Sequence, residues 1–159
     1  MATINKKYPD AAVHLGNTPW GNLTALRYLL KTDAAGKVIG GDVNAAPAVN
    51  DVINIGHLPA GFRFVDSEVV VGTGMTATLT GDLGFAYKDG VNDAAVPQDA
   101  DYFGAGLALA TAARLRNATS NPSLVLPKDA HLTLTVKTVA NAKASEIEVV
   151  IFGIAEGVK

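Results

Sequence analysis

The sequence predicts an all-β protein, an antiparallel β-sandwich that is jelly-roll-like and carries an extended N-terminal arm. Several short runs alternate between apolar and polar residues, turn residues separate these runs, and helical periods do not recur between them. That combination favours an antiparallel sandwich or barrel over an α/β fold, in which helices alternate with strands. Eight or nine strands arranged in two sheets suggest a jelly roll.

The first 22 residues differ from the rest, because they show neither a strand nor a helical period and contain the turn-forming stretches "YPD" and "GNTPWGN". We therefore expect an N-terminal arm over residues 1–22 and a single sandwich domain over residues 23–159. The arm contains Tyr8, His14 and Trp20, aromatic groups that are typical anchors at protein interfaces, so we predict that all three contact a partner. Trp20 has an alternative place, as a cap on the domain's own core.

The first strands of the sandwich follow the arm. Residues 22–30 form an apolar run, and "DAAG" at residues 33–36 predicts a turn that folds "KVIGG" back as a hairpin. The small and polar residues from 41 to 51 predict a loop. The run "VINIGHL" then predicts the next strand.

A Pro-Ala-Gly corner at residues 59–61 joins that strand to the long run "FRFVDSEVVV". Proline presets φ and glycine accepts a positive φ, so the corner predicts a tight turn between the two strands. A second strand pair is expected where "GTG" joins this run to "MTATLTGDLGFAY". Farther on, Gly104 and Gly106 weaken a helical pattern, and we expect a short helical turn near Tyr102 and a strand at residues 112–116.

Two strands close the domain. In "HLTLTVKTV" the Leu and Val residues are expected to point inward and the Thr and Lys residues outward into water. In "EIEVVIFGI", Ile147, Val149 and Ile151 share the inner face, while the outer face mixes glutamates with Val150 and Phe152. A mixed outer face of this kind suits contact with a neighbouring molecule.

Composition limits the classes of partner. Charged residues make up 18% of the chain, which is low against a typical share of about 25% and is expected either for a surface that is partly covered in an assembly or for neutral loops. The formal net charge of −2 and the lack of basic runs argue against nucleic acid as a partner. No stretch approaches the roughly 20 apolar residues of a membrane span, so we expect no membrane partner, with synthesis and folding in the cytoplasm.

No residue pattern predicts an enzyme, a cofactor or a metal site. The chain lacks cysteine, and its serines do not occur in the G-x-S-x-G pattern of a nucleophile. The three histidines, His14, His57 and His131, lack the spacing of paired metal ligands. The stretch 82–101 lacks the ligand order of an EF-hand, so we expect a solvated loop. It contains five aspartates: Asp82, Asp89, Asp93, Asp99 and Asp101.

The order of these segments resembles the small decoration, or cement, proteins of tailed-bacteriophage capsids. The resemblance covers residues 52–154 and is carried by strand and turn residues: "INIGHLPAGFRFVDSEVVV", "TATLTGDLGFAY", "DADYF", "ATAARLRN", "LVLPKDAHLTLTV" and "IEVVIFG". It implies a virion structural protein, a β-sandwich on the capsid exterior that clamps neighbouring subunits of the head. No active-site residue is carried over by the resemblance.

The resemblance also implies the partners. These are the major capsid protein and other copies of the chain, for which we prefer a homotrimer over a dimer because a trimer suits the threefold points of an icosahedral shell. A second function from a different class is a head-fibre or tail-associated sandwich that binds host-surface carbohydrate. Such binding requires surface aromatic residues beside an acidic residue, and "DYF" at residues 101–103 with Tyr87 offers that combination.

Overall fold

The computed structural model describes residues 1–10, 23–116 and 119–156, and for residues 7–10 it describes the backbone alone. Over these residues the chain forms nine strands and no helix. The strands are β1 (Thr3–Asp10), β2 (Leu23–Thr32), β3 (Val52–Leu58), β4 (Phe62–Thr73), β5 (Thr80–Tyr87), β6 (Asp99–Ala108), β7 (Ala113–Arg116), β8 (Ala130–Lys137) and β9 (Ser145–Ala155).

The strands form two sheets, with the orders β1-β3-β8-β5-β6 and β2-β9-β4-β7. Four antiparallel pairs are nested along the chain: β2 pairs with β9, β3 with β8, β4 with β7 and β5 with β6. Pairing of β4 with β9 and of β5 with β8 joins these pairs into the two sheets. A long antiparallel ribbon rolled in this way is a jelly roll, so the predicted fold class is confirmed.

The core lies between the two sheets and is closed at one end by aromatic rings. The ring of Phe64, from the four-stranded sheet, lies 4.8 Å from that of Phe103, 5.4 Å from Tyr102 and 5.8 Å from Phe85, all in the opposite sheet. The predicted inner face of β9 is confirmed, because Ile147, Val149 and Ile151 are at most 1% exposed. Tilted and edge-on ring pairs add to the stability that burial of apolar area supplies.

Two expected strand pairings are wrong. Strands β3 and β4 lie in different sheets, as do β4 and β5, so the Pro-Ala-Gly corner and the "GTG" turn carry the chain across the sandwich. The expected hairpin after β2 is confirmed but short: Thr32 and Val38 form an antiparallel bridge, and the backbone N–H of Ile39 donates to the carbonyl oxygen of Lys31 over 2.9 Å. Turn residues indicate where the chain reverses, but they do not indicate which sheet receives the next strand. The positive φ expected at the corner is confirmed at Gly61, where φ is 75°.

Strand β6 replaces the helical turn expected near Tyr102. Its pairing with β5 skips from Leu83↔Gly104 to Phe85↔Asp99, so several β6 residues bulge out of register. The bulge turns both Tyr102 and Phe103 into the core, where each is less than 8% exposed. The strand expected at residues 112–116 is confirmed as β7.

Strand β1 corrects the expectation that residues 1–22 lack strand structure. Thr3–Asp10 pairs with β3 in parallel, Ile4 is fully buried, and the backbone N–H of Ala2 donates to Asp51 Oδ1 over 2.6 Å. Ile4 is the one buried side chain among those described in β1, and backbone hydrogen bonds hold this edge strand, so no apolar period marks it. The division into an arm over residues 1–22 and a domain over residues 23–159 stays a prediction, because residues 11–22 lie outside the described part.

Candidate interaction surfaces

The three predicted contact residues of the arm stay predictions. The backbone of Tyr8 belongs to β1, but its side chain is outside the described part of the structure. His14 and Trp20 lie wholly outside the described residues. The surfaces that the structure does describe are the outer faces of the two sheets and the loops at the two ends of the sandwich.

The outer face of the four-stranded sheet carries an apolar stripe, which we define as Leu23, Val70, Val150, Phe152 and Ile154. Val150, Phe152 and Ile154 follow one another along the outer side of β9, and Leu23 lies opposite Ile154 on β2. Leu23 is 63% exposed, while the other four are partly exposed. The mixed outer face predicted for β9 is therefore confirmed, and its apolar part extends onto both neighbouring strands.

Ion pairs flank this stripe. In four of these pairs the cation lies on an edge strand, β2 or β7, and the carboxylate on a central strand, β9 or β4. Hydrogen bonds from Arg27 lower the pKa of Glu148, and those from Arg116 lower the pKa of Asp66. The face is thus charge-balanced within one molecule. These four pairs are Arg27–Glu148, Lys31–Glu146, Arg114–Glu68 and Arg116–Asp66, and a fifth, Arg63–Glu156, lies beside Ile154.

The outer face of the five-stranded sheet is polar. Thr133 and Thr135 were expected to face water, but they are only 2% and 8% exposed. Strand β8 lies in the middle of its sheet, so residues of β3 and β5 lie on both sides of each threonine. Alternation identified which residues share this face of β8, whereas exposure depends on neighbours that are distant in sequence.

Two histidines that are far apart in sequence meet on this polar face. His57 of β3 lies directly opposite His131 of β8, in a small cavity of about 90 Å³ that Lys88 also lines. Burial, then the charge of Lys88 and then that of His57, lower the pKa of His131. His57 Nδ1 is buried with no hydrogen-bond partner in the described structure. Sequence spacing gave no sign of this pair, since only the β3–β8 register creates it.

At one end of the sandwich, Asn141 joins three connections between strands. Its side chain is 2% exposed, and its Nδ2 donates to Thr32 Oγ1, to the carbonyl oxygen of Gly36 and to that of Lys143. Its Oδ1 accepts hydrogen bonds from the backbone N–H and the hydroxyl of Thr76. A buried amide whose donors and acceptor are all satisfied fixes the surrounding loops rigidly. No pattern in the sequence marks Asn141 for this role.

The opposite end contains the Pro-Ala-Gly corner. Asp129 Oδ1 accepts the backbone N–H of Ala60 over 3.0 Å, and thereby ties the corner to the β7–β8 connection. Lys128 ties the same connection to the β5–β6 loop: its Nζ donates to Asp89 Oδ2 and lies 4.6 Å from the centre of the Tyr87 ring. The hydrogen bond from Lys128 lowers the pKa of Asp89.

Three of the five aspartates in the stretch 82–101 make contacts within the fold. Asp82 pairs with Lys137 and Asp89 with Lys128, while Asp93 accepts backbone N–H groups of its own loop. Among the described residues, no three His, Asp or Glu side chains are arranged to hold a metal ion. Ser67 is buried. These carboxylates therefore serve turns and ion pairs.

The aromatic residues on which the carbohydrate-binding alternative depends are not at the surface. Tyr87, Tyr102 and Phe103 are between 3% and 7% exposed. The hydroxyl of Tyr87 donates to the carbonyl oxygen of Val96, and that of Tyr102 to the carbonyl oxygen of Pro122. Rings held edge-on in the core offer no flat surface on which a sugar can stack, so that observation no longer supports the alternative.

Comparison with known proteins identifies similar folds. No protein-family model and no curated protein matches the sequence. A chain of the capsid of Ralstonia phage GP4 is similar with a TM-score of 0.62 and 20% identity, over 99% of this chain and 100% of that chain. A chain of the cyanophage Pam1 capsid asymmetric unit is similar with a TM-score of 0.52 and 15% identity, over 91% of this chain and 94% of that chain.

No helix in the described residues is long and apolar enough to cross a membrane.

The similarity to the two phage chains includes nearly the whole molecule, and not one sheet or one strand pair alone. At these identities the similarity establishes a common fold. The chain therefore has the fold of chains found in two phage capsids, as the resemblance of residues 52–154 predicted.

Proposed function

We propose that the chain is a structural protein of a phage virion, and that it decorates the outside of the head and stabilises contacts between major capsid subunits. The observation that carries this proposal is the end-to-end similarity in fold to a capsid chain of matching length. The resemblance of residues 52–154 to decoration proteins supports it from the sequence. Fold alone does not fix function, so the proposal also rests on surfaces suited to contact rather than to chemistry.

Such a protein acts through contact area. Many modest contacts, repeated by symmetry across a shell, give an avidity that a single copy lacks. A rigid body loses little conformational entropy on docking. Asn141 at one end, and the Lys128 and Asp129 ties at the other, supply that rigidity.

Copies of the chain contact each other through the apolar stripe, in a homotrimer or, as the alternative, a dimer. Two identical charge-balanced faces do not repel, and covering the stripe removes apolar area from water. In light scattering after gel filtration, Phe152→Glu should shift the protein toward the 16.4 kDa monomer, and the exposed control Ala144→Glu should not. A wild-type protein that is monomeric at micromolar concentration would contradict self-association through this face.

The arm supplies further contacts to the major capsid protein through Tyr8, His14 and Trp20. Replacing Tyr8 or Trp20 with alanine should weaken binding to heads by roughly tenfold without changing thermal unfolding, as expected for interface anchors. A lowered unfolding temperature for Trp20→Ala would instead place Trp20 in the core, the alternative that the sequence leaves open.

Binding to heads tests the proposal. Heads that lack this protein are mixed with the purified chain and sedimented, and binding should saturate at a fixed number of copies per head. Decorated heads should also withstand a higher temperature, since a ligand that binds only the assembled shell stabilises it. Heads that already carry the protein are the control. An absence of saturable binding would contradict the proposal.

A further inference from the structure

A second feature of the corner end is an open apolar cleft, which we call the end cleft. It has a volume of about 340 Å³ and lies between the β5–β6 loop and the segment that precedes β8. Val96 and Pro97 line one side of the cleft, and Pro122 and Leu124 line the other. Tyr102 also lines it. Its volume falls in the range of sites that bind small molecules or short peptide segments.

Both walls of the end cleft are held in place before any partner binds. Asp93 Oδ1 accepts the N–H groups of Ala95 and Val96, each over 2.9 Å, and the Tyr87 hydroxyl donates to the Val96 carbonyl oxygen over 2.6 Å. On the other side, the Tyr102 hydroxyl donates to the Pro122 carbonyl oxygen over 2.7 Å. A preformed cleft needs little ordering when it is filled, so contact there is favoured.

The margin of the end cleft is acidic. Asp99 lines it, Asp101 lies beside Asp99 on the same strand, and Asp93 accepts the backbone N–H groups of the lining residues Ala95 and Val96. None of the three forms an ion pair with a described residue. The hydrogen bond with Asp99, burial and the charges of Asp99 and Asp82 raise the pKa of Asp101, as expected where negative charge is not balanced. This margin contrasts with the apolar stripe, whose flanking charges are all paired.

We infer that the end cleft receives a segment of a capsid subunit that inserts an apolar side chain and places a lysine or arginine beside it. The inference rests on the proposed function and adds the surface and the chemistry of the contact. An apolar cleft wall accounts for the inserted side chain, and the acidic margin for the neighbouring cation. A second copy of this chain is the competing occupant. Self-association through the apolar stripe leaves the end cleft accessible, because the two surfaces lie on different sides of the sandwich.

Two neighbouring alanines allow a matched test. Ala95 lines the end cleft and Ala94 does not, and both are exposed, so arginine at either position leaves the core intact. Ala95→Arg blocks the cleft and repels a cation, and it should weaken sedimentation with heads by about tenfold or more. Ala94→Arg adds the same charge beside the cleft and should bind within about threefold of wild type. Thermal unfolding of both variants confirms the fold.

A second pair of variants tests the charge separately. The double variant Asp99→Asn and Asp101→Asn should weaken binding at low salt and flatten its dependence on salt. Asp33→Asn, in an exposed turn at the opposite end of the sandwich, is the control for the loss of a carboxylate, because asparagine can still accept the backbone N–H groups that Asp33 accepts. If the Ala95→Arg variant binds heads as tightly as the wild-type chain does, the inference is overturned, while the proposed function is not. Loss of self-association in Ala95→Arg with head binding intact would assign the cleft to a second copy and also overturn it. If the wild-type chain does not bind heads, the result contradicts both the proposed function and this inference.

Discussion

At the scale of single residues, Asn141 fixes one end of the sandwich. Its amide bonds to Thr32, the last residue of β2, and to Gly36, Thr76 and Lys143, which belong to three different connections. Asn141→Ala removes these bonds and leaves buried groups without partners, so the free energy of unfolding should fall by about 2–4 kcal/mol. Urea unfolding measures this loss of unfolding free energy. Asn44→Ala, at an exposed amide, is the control, and a loss below about 1 kcal/mol for Asn141→Ala would contradict this role.

His131 predicts an acid-sensitive stability. Because its folded pKa is lowered, the unfolded chain binds more protons once the pH falls below the unperturbed value of about 6.5. The free energy of unfolding should therefore be fully present above that pH and decline as the pH falls toward the folded pKa. His131→Gln cannot gain this proton, so its unfolding free energy should decline less between pH 7.5 and pH 5.5. Parallel declines for the two proteins would contradict the prediction.

Neither residue could be predicted from the sequence as a structural centre. An isolated asparagine in "VANAKAS" is typical of a loop, and the groups that it binds lie up to 109 residues away. His57 and His131 meet only because of the register of β3 with β8. Residue patterns identify local faces, whereas these contacts depend on the order of strands in the sheets.

At the scale of elements, strands with one clear face were predictable, and strands whose neighbours decide their structure were not. β9 follows its alternation, and its inner face is buried as expected. β6 does not, because its bulge turns two successive residues inward. β1 was missed because Ile4 is the one apolar residue that it buries among those with described side chains. Turn residues located the reversals but did not determine the sheets.

The place of β1 in the core gives a testable consequence. Ile4 is fully buried, so Ile4→Ala should lower the free energy of unfolding by about 2–4 kcal/mol through lost burial and a cavity. Ile39→Ala is a matched control, because Ile39 is 54% exposed, and it should change stability by less than about 1 kcal/mol. Urea unfolding compares the two. Equal and small losses would indicate that β1 detaches readily and behaves as part of the expected arm.

At the scale of the whole molecule, the sandwich presents different surfaces in different directions. The four-stranded sheet exposes the apolar stripe, the five-stranded sheet is polar, and the corner end carries the end cleft with its acidic margin. The stiff corner at residues 59–61 holds that end in a fixed position relative to both sheets. This division of surfaces fits a body that contacts its own copies through one face and a capsid subunit through one end.

Electron cryomicroscopy of reconstituted heads tests the central claim most directly. Heads that lack this protein are incubated with the purified chain, and icosahedral maps are compared with those of untreated heads. The account predicts new density on the outer surface, at symmetry-related positions and across boundaries between major capsid subunits, into which the jelly roll fits with its corner end toward the shell. Ordered density on the inner surface, or no new density at saturating protein, would contradict it.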